Sequence, residues 1–305
     1  MSDTPLYLGL DIGGTKCAAV AGTAAGEIVD RAEWPSLALR GPAAMLDELF
    51  VHARQLMQKH TGMVSIGASI GGPLDAANGI VHSPPNLPGW DAVPLKALIE
   101  QQLGKPARVE HDAAACALAE YRWGAGRGAS RLIYLTCGTG FGAGFIIDGA
   151  IYRGAGGRSI EIGHAQYRDD GPSAFGKRGS NEAFCAAEAL GRLAAWQFPA
   201  RWPTAPASKT IADLAAAGDA DALSVVQLNA RAVGDVCATL GDLLRPDVIL
   251  LGSLARYLGS NWVDAVRQRF RQEVLSDTAA MCRLEPAGLG TKLQDCSALA
   301  VAIPR

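Results

Sequence analysis

Short continuous apolar runs along the chain predict strands, and apolar residues at helical spacing predict helices. The first run covers residues 6–11, and after a turn at 12–15 a second strand is predicted over 16–22. The chain is therefore expected to open with a β-hairpin. Further strands are predicted over 64–70, 107–110 and 247–251, and helices over 43–59, 93–102, 113–123, 182–197, 221–244 and 262–275.

The hairpin pattern returns in the middle of the chain. A strand over 132–135, a turn at 137–140 and a returning strand over 141–147 repeat the order of the first hairpin. The segments DIGGTKCAAV and TCGTGFGAGF each join a strand, a Gly–Thr turn and a second strand. Together with the alternation of strands and helices, this repeat predicts a duplicated α/β unit, and 305 residues is a length that suggests about two domains.

Composition excludes several classes of protein. The chain is 49% hydrophobic and 19% charged, with 28 Lys+Arg against 30 Asp+Glu, so no global basic field attracts nucleic acid or an anionic membrane. No apolar stretch reaches the ~18 residues of a membrane span, and the start of the chain has no signal-peptide pattern. The seven cysteines are scattered without a CxxC pair, which favours reduced thiols in a cytoplasmic protein.

The first glycine turn carries several kinds of polar group. Glycine lets backbone N–H groups approach a phosphate, although Gly13 and Gly14 alone also suit an ordinary hairpin turn. Asp11 before the turn and Thr15 and Lys16 after it add a carboxylate, a hydroxyl and an ammonium group. These groups suit phosphate oxygens and a hydrated Mg²⁺, which is expected near Asp11 together with a nucleotide.

Two common nucleotide motifs are missing from the sequence. The chain contains no GxxxxGK[ST] segment, so a P-loop is excluded. In the second turn the glycines alternate at 138, 140, 142 and 144, and a strand follows them. A dinucleotide fingerprint instead opens a helix, so a Rossmann site is disfavoured.

Six segments resemble one known family, in its order and at its spacing. They are LGLDIGGTKCAAV, SIGGPLD, SPPNLPGW, EHDAAACALAE, YLTCGTGFGAGFI and SIEIGH. The family is the ROK group of bacterial sugar kinases, transcriptional repressors and related proteins, and the likeness runs from about Leu6 to Ala300. It implies an actin-like ATPase fold, with two ribonuclease-H-like α/β domains and a cleft for ATP and sugar. The domains are expected at 1–112 with about 293–305, and at 113–292, and a homodimer is expected.

The resemblance also implies which residues serve each substrate. The positions that match the family's nucleotide segments are Asp11, Gly13, Gly14, Thr15, Lys16, Thr136, Gly138, Thr139, Gly140, Gly142 and Gly252. The positions that match its sugar site are Gly72, Asn86, His111, Asp112, Glu161, His164 and Glu182. Ser253 stands where the family usually has a further glycine, which leaves the choice of nucleotide open.

Asp112 is the candidate catalytic residue. From its place before a predicted helix it is expected to be an N-cap. The resemblance makes it the general base, since a carboxylate at a strand-to-helix junction can accept the proton of a sugar hydroxyl that attacks the γ-phosphate.

The chain departs from the family pattern at two places. His111 replaces the asparagine that usually precedes the catalytic aspartate, which bears on sugar specificity. The segment SAFGKRGSNE lies where the family commonly carries a CxCGxxGC zinc motif, with Ser173, Phe175 and Ser180 at the cysteine positions. His164 alone cannot hold zinc, because a structural site needs four ligands. We therefore expect no structural zinc.

The function expected from these features is an ATP-dependent, glucokinase-like hexose kinase. Fructokinase, N-acetylhexosamine or N-acetylmannosamine kinase activity and a non-catalytic sugar-binding protein remain alternatives, because the residues do not identify the sugar. A DNA-binding repressor is disfavoured, since its winged-helix segment would precede a hairpin that here begins at Leu6. The expected partners are ATP and a hexose, without nucleic acid or membrane.

Overall fold

The computed structural model describes residues 5–304 as alternating strands and helices. The strands are β1 Leu6–Ile12, β2 Lys16–Thr23, β3 Ile28–Pro35, β4 Met63–Ile70, β5 Leu74–Asp75, β6 Ile80–Val81, β7 Ala107–His111, β8 Arg131–Cys137, β9 Phe141–Ile147, β10 Ala150–Ile151, β11 Ser173–Ala174, β12 Lys177–Arg178, β13 Val248–Leu251 and β14 Arg283–Pro286. The α-helices are α1 Gly41–Lys59, α2 Leu95–Leu103, α3 Asp112–Trp123, α4 Asn181–Cys185, α5 Ala189–Gln197, α6 Ser208–Ala216, α7 Ala220–Leu244, α8 Ser253–Glu273, α9 Ser276–Met281 and α10 Leu293–Ala302.

The two large sheets share one strand pattern. In the first sheet the order is β3-β2-β1-β4-β7; β1, β2 and β3 pair antiparallel, and β4 and β7 follow in parallel. In the second sheet the order is β10-β9-β8-β13-β14, and β8, β13 and β14 pair in parallel. A meander followed by two parallel strands thus occurs twice, which confirms the predicted duplication of an α/β unit.

The chain divides into two compact units. Of the described residues, the first unit takes those up to 128, 144–160 and those from 288 onward, and the second takes 129–143 and 161–287. The boundary expected after residue 112 falls inside the first unit, because α3 packs against α10.

The core of the first unit lies on both faces of its sheet. On one face, side chains of α1 such as Leu49 and Phe50 pack with Leu8, Leu10 and Ile66. On the other face α10 lies directly on β1 and β4. A Cβ atom at Gly67 would lie 2.2 Å from the backbone nitrogen of Ala302, so only glycine permits this approach.

Several elements differ from the sequence expectation. The single helix predicted over 182–197 is two helices, because Ala186 is extended and the N–H of Ala187 donates to the carbonyl of Gly138 at 2.8 Å. The helix predicted over 262–275 begins earlier, at Ser253, and contains a non-helical residue at Gly259. β3, α6, α9, α10 and β14 were not predicted from the sequence.

Two further observations concern the thiols and the helices. All seven cysteines are buried, and none forms a disulfide within the described part of the chain. Among residues 5–304, no helix is both long and apolar enough to cross a membrane.

Glu120 is a fully buried carboxylate that joins α3 to the segment before α10. Its Oε2 accepts hydrogen bonds from the N–H groups of Ala125 at 2.9 Å and Gly288 at 3.0 Å, and its Oε1 accepts one from Leu289 at 2.8 Å. Three backbone donors thus depend on one side chain, and a buried donor without an acceptor is costly.

We therefore expect Glu120→Ala to lower the free energy of unfolding by about 3 kcal/mol, since it orphans these three donors. Urea unfolding followed by circular dichroism measures the change. The matched variant Glu27→Ala, at an exposed turn residue, should stay within about 0.5 kcal/mol of the wild type. Equal stability of Glu120→Ala and wild type would contradict this role of Glu120.

Candidate functional site

The first glycine turn joins β1 to β2 in the first unit. The N–H of Gly13 donates to the carbonyl of Lys16 at 3.1 Å, and the N–H of Ser36 donates to the carbonyl of Thr15 at 3.0 Å. A Cβ at Gly13 would lie 2.8 Å from the Lys16 carbonyl oxygen, so the turn needs glycine there. Thr15 and Lys16 are exposed, and the ammonium of Lys16 pairs with Glu33 at 2.8 Å.

The loop that contains Asn86 packs against this turn. A Cβ at Gly14 would lie 2.7 Å from the carbonyl oxygen of Asn86, so glycine allows the two backbones to touch. The side chain of Asn86 is exposed. The structure thus brings one residue predicted for the sugar next to the turn predicted for phosphate.

Asp11 is a partly buried carboxylate just before the turn. Its pKa is raised from 3.8 to about 7, first by burial and then by the nearby charges of Asp112 and Asp295, while Lys16 and Arg31 oppose the shift. Within residues 5–304, no donor forms a hydrogen bond to the Asp11 side chain. A carboxylate in this situation gains from a cation placed beside it.

Asp112 occupies the junction between β7 and α3. It is the first helical residue and His111 is the N-cap, so the expected N-cap position of Asp112 is wrong by one residue. Its Oδ1 accepts a hydrogen bond from the N–H of Ala113 at 2.6 Å, and Nε2 of His111 lies 3.5 Å from the same oxygen. The side chain is 46% exposed, and among the described residues no donor bonds to Oδ2. Asp112 therefore has a fixed carboxylate with one oxygen available.

The second glycine turn joins β8 to β9 in the second unit. Oγ1 of Thr136 accepts a hydrogen bond from the N–H of Gly142 at 2.7 Å, and the N–H of Gly138 donates to the carbonyl of Gly140 at 3.1 Å. A Cβ at Gly138 would meet only the hydroxyl of Ser253, at 3.7 Å. The face of the turn at Gly138 is therefore open, unlike that at Gly14.

Glu182, in the first turn of α4, supports the second glycine turn. Its Oε2 accepts a hydrogen bond from the N–H of Phe141 at 2.5 Å. Its Oε1 is buried without a hydrogen-bond partner among the described residues. Burial raises the pKa of Glu182 from 4.5 to about 7, against the opposing effects of the Phe141 N–H and Arg192. An orphaned buried oxygen of this kind needs a hydroxyl or a water as its partner.

Gly252 lies between β13 and α8, where it caps the helix. A Cβ there would lie 2.7 Å from the hydroxyl of Tyr134 and 2.8 Å from the carbonyl oxygen of Leu135. The N–H of Gly252 donates to that same carbonyl at 2.9 Å. Ser253 is the first residue of α8, and its hydroxyl would lie 3.7 Å from a Cβ at Gly138 of the second glycine turn.

The three residues at the family's cysteine positions have other structural roles. Ser173 begins the short hairpin of β11 and β12, and the side chain of Phe175 is exposed at its turn. Oγ of Ser180 caps α4 by accepting a hydrogen bond from the N–H of Ala183 at 3.3 Å. Within residues 5–304 no group of three or more His, Cys, Asp or Glu side chains could hold a metal ion.

Hydrogen bonds hold the segment around this hairpin. Nζ of Lys177 donates to the carbonyl of His164 at 2.6 Å, and Nε2 of Gln166 donates to the carbonyls of Arg178 and Gly179 at 3.1 and 3.3 Å. Nδ2 of Asn181 donates to the carbonyl of Ile162 at 2.9 Å. Sequence reasoning missed these residues, because nothing in the local pattern distinguishes them from ordinary polar loop residues.

A second set of hydrogen bonds links this segment to α7 and α8. The hydroxyl of Tyr167 donates to Oδ2 of Asp235 at 2.6 Å, and Nε of Arg269 donates to Oδ1 of Asp235 at 2.5 Å. Burial and the hydrogen bond to Asp235 raise the pKa of Tyr167 well above its usual value. The hydroxyl therefore stays protonated and serves as a donor.

The candidate residues fall into two groups, each within one unit. Gly72 follows β4 and is half-buried, whereas Glu161 and His164 are exposed on either side of the buried Gly163. A Cβ at Gly163 would lie 2.2 Å from the carbonyl oxygen of Phe141, so that segment packs on the second glycine turn. The first unit holds Asp11, Gly13, Gly14, Thr15, Lys16, Gly72, Asn86, His111 and Asp112, and the second holds Thr136, Gly138, Thr139, Gly140, Gly142, Glu161, His164, Glu182 and Gly252.

Known proteins share this fold over nearly the whole chain. The structure of the ROK hexokinase from Thermus thermophilus matches with a TM-score of 0.85 and 29% identity, over 97% of each chain. A ROK family glucokinase from Streptomyces griseus, solved in complex with glucose and AMPPNP, matches with a TM-score of 0.83 and 29% identity, over 97% of this chain and 99% of that one. The chain therefore has the actin-like ATPase fold of the ROK kinases.

Sequence comparison identifies the family. The ROK family model matches residues 7–302. The glucokinase of Halalkalibacterium halodurans is 30% identical over 300 residues, which are 93% of this chain and 91% of that protein. This chain belongs to the ROK family.

The raised pKa of Glu182 predicts a pH-dependent stability. Because the native carboxyl binds its proton more tightly than the unfolded one, the free energy of unfolding should fall as pH rises from about 4.5 to about 7. Glu182→Gln mimics the protonated form and should reduce this fall by about 2 kcal/mol. Urea unfolding at pH 5 and pH 8 measures the difference in the free energy of unfolding between the two pH values. Glu188→Gln, at an exposed residue, is the matched control. An unchanged slope in Glu182→Gln would refute the assignment.

We also predict that the protein contains no structural zinc and keeps its melting temperature after chelation. A serine hydroxyl is a poor ligand for Zn²⁺ and phenylalanine is none, so Ser173, Phe175 and Ser180 cannot replace three thiolates. Elemental analysis and thermal unfolding with EDTA are the measurements. About one zinc per chain, with unfolding on chelation, would overturn this prediction.

Proposed function

We propose that this sugar kinase transfers the γ-phosphate of ATP to a hydroxyl of a hexose, with glucose as the leading substrate. The observation that carries the proposal is the Asp112 carboxylate, fixed through Oδ1 and available at Oδ2, in the unit that also holds Asp11 and the first glycine turn. The glucokinase and hexokinase relatives at 29–30% identity support it.

Asp112 is proposed as the general base. The bond from the N–H of Ala113 orients the carboxylate and leaves Oδ2 to accept the proton of the attacking hydroxyl. His111 lies against Oδ1, so it is proposed to orient Asp112 and to contact the sugar where relatives have asparagine. The hydroxyl oxygen attacks the γ-phosphorus as it loses its proton. The bond between the γ-phosphorus and the β-phosphate oxygen breaks, and ADP is the leaving group.

The two glycine turns are proposed to bind the phosphates of ATP. Thr15 and Lys16 add a hydroxyl and an ammonium group to the first turn, and Thr139 adds a hydroxyl to the second. Gly252 is proposed to adjoin the adenosine. Backbone N–H groups and a positive side chain stabilise charge on the transferred group without rearrangement during the reaction.

Mg²⁺ is proposed to accompany ATP near Asp11. The orphaned carboxylate of Asp11, with its pKa raised to about 7, fits a cation in its vicinity. Magnesium in kinases is usually held by one or two carboxylates together with phosphates and waters, so a cluster of three acidic ligands is not required. The ion would neutralise charge on the phosphates.

The residues that match the family's sugar site are proposed to bind the sugar. Oε1 of Glu182 lacks a partner and would accept a hydrogen bond from a sugar hydroxyl. Asn86, Glu161 and His164 present exposed polar side chains, and Gly72 follows β4. Fructose and N-acetylated hexosamines remain alternative substrates, and a non-catalytic sugar-binding protein remains the alternative activity.

We further propose a cytoplasmic location and a homodimer. The location is supported by seven buried cysteines that form no disulfide within residues 5–304. The homodimer follows from the family resemblance, and light scattering of the purified protein measures it.

A coupled assay of ADP release tests the activity. Purified protein whose folding is verified by circular dichroism receives Mg²⁺-ATP and, in separate reactions, glucose, fructose, mannose, allose, N-acetylglucosamine or N-acetylmannosamine. We expect the highest kcat/KM with glucose. Failure of every sugar to stimulate ADP release would reject the kinase proposal, and a higher kcat/KM with another sugar would reject glucose.

Asp112→Asn should lower kcat by roughly 10²–10⁴-fold, the usual contribution of a positioned general base. The amide oxygen still accepts the bond from Ala113, so the free energy of unfolding should change by less than about 1 kcal/mol. The sugar Kd, measured by calorimetry, should remain near the wild-type value. Near-normal turnover would show that Asp112 only begins the helix.

Gly138→Ala should weaken ATP binding at least about tenfold with little effect on folding. The added methyl group meets only a contact of 3.7 Å within the protein, so a loss of affinity would report the approach of a phosphate to the backbone. Calorimetric titration with AMPPNP measures the affinity, and urea unfolding serves as the control. Unchanged affinity would argue that the nucleotide does not contact this turn.

A further inference from the structure

A separate cavity lies within the first unit. It has a volume of about 660 Å³ and is lined by residues of β7, α3 and α10 and by residues near β10. None of its lining residues belongs to the glycine turns, and Asp112 is not among them. Pockets for small molecules have volumes of roughly 300–1,000 Å³, so its size suits a metabolite.

The lining of the cavity is strongly basic. Four basic side chains, Lys96, Arg108, Arg122 and Arg153, line it together with a single carboxylate, that of Glu110. Cavities lined by charges of one sign focus the electrostatic field and concentrate ions of the opposite sign. The cavity therefore favours an anion.

The one carboxylate in the lining is already bound on both oxygens. Oε2 of Glu110 accepts hydrogen bonds from Nε and Nη2 of Arg153, and Oε1 accepts one from the N–H of His111 at 3.0 Å. The Glu110 side chain is only 4% exposed. Glu110 thus offsets one of the four positive charges in the lining, that of Arg153.

Two of the basic groups have unused donors. Within residues 5–304, Nζ of Lys96 has no hydrogen-bond or ion-pair partner, and Arg108 donates one hydrogen bond, from Nη1 to the carbonyl of Ala302 at 3.2 Å. Arg122, by contrast, donates to the carbonyls of Ala300 and Ile303 at 3.0 and 3.2 Å, which fixes the wall of the cavity. An ammonium and a guanidinium group together suit the several oxygens of a phosphate.

The rest of the lining is apolar. Leu118, Ile151, Val301 and Ile303 contribute hydrocarbon surface beside the ring of Tyr121. Burial of this surface against the carbon atoms of a ligand would be favourable, and a bare inorganic ion has no carbon atoms.

We propose that this cavity binds a small organic phosphate monoester, with its phosphate on Lys96 and Arg108 and its carbon skeleton on the apolar wall. Arg153 forms an ion pair with Glu110, so this pair adds no net charge to the site. The site is distinct from the residues proposed for ATP and sugar, and its occupation does not depend on the proposed kinase activity.

Calorimetric titration with glycerol 3-phosphate tests the site, because this probe is a phosphate monoester without a hexose or a nucleoside. Each titration is run with and without saturating AMPPNP, which competes for any phosphate position on the glycine turns. We expect binding in both conditions, and weaker binding of inorganic phosphate. Loss of binding in the presence of AMPPNP would overturn the proposal.

Variants of the basic residues locate the bound probe. Lys96→Gln, which breaks no hydrogen bond of the described structure, should raise the Kd about tenfold or more, and Lys96→Gln with Arg108→Met should raise it further. The control Lys209→Gln changes an exposed lysine of α6 and should leave the Kd unchanged. An unchanged Kd in Lys96→Gln, or equal affinity for the dicarboxylate succinate, would contradict a phosphate site in this cavity.

Discussion

The contact between the backbone of α10 and strands β1 and β4 is the constraint on which the first unit depends. Gly9 and Gly67 supply the space, since a Cβ at either position would lie within 2.6 Å of a backbone nitrogen of the helix. This approach places Asp295 of α10 near Asp11, where its charge raises the pKa of that carboxyl, and lets Asp295 pair with Arg31 at 2.8 Å. Packing of the helix thus adds to the effect of burial and of Asp112 on the pKa of Asp11 at the end of β1.

The absence of a Cβ atom has two different consequences in the two glycine turns. At Gly13 and Gly14 the space is taken up by the carbonyl oxygens of Lys16 and Asn86, so these glycines are needed for the protein's own packing. At Gly138 a Cβ would lie no closer than 3.7 Å to any described atom outside the neighbouring residues, so the space is free for a ligand. The first turn is therefore built by internal contacts, whereas the second presents an open backbone.

The sequence predicted those elements that have a clear local pattern of apolar residues or glycines. The two hairpins, the long helix α7 and the duplicated α/β pattern follow from apolar runs and glycine turns. β3 was missed because its exposed and half-buried residues alternate at a sheet edge, and α10 because small residues on all sides give it little amphipathic pattern. The orphaned oxygen of Glu182 and the cavity at Arg108 arise from residues distant in sequence, which no local pattern contains.

The segment before α4 is held by several separate hydrogen bonds. A zinc ion would fix its ligands through four bonds, whereas here separate hydrogen bonds from Gln166, Lys177 and Asn181 to carbonyl groups hold the chain. A hydrogen bond of this kind contributes only about 1 kcal/mol, so several are needed to hold the segment. Asn181 precedes Glu182, so its hydrogen bond to Ile162 holds the chain beside the carboxylate that accepts from the N–H of Phe141. The position of the segment therefore depends on the whole set of hydrogen bonds and on no single residue among them.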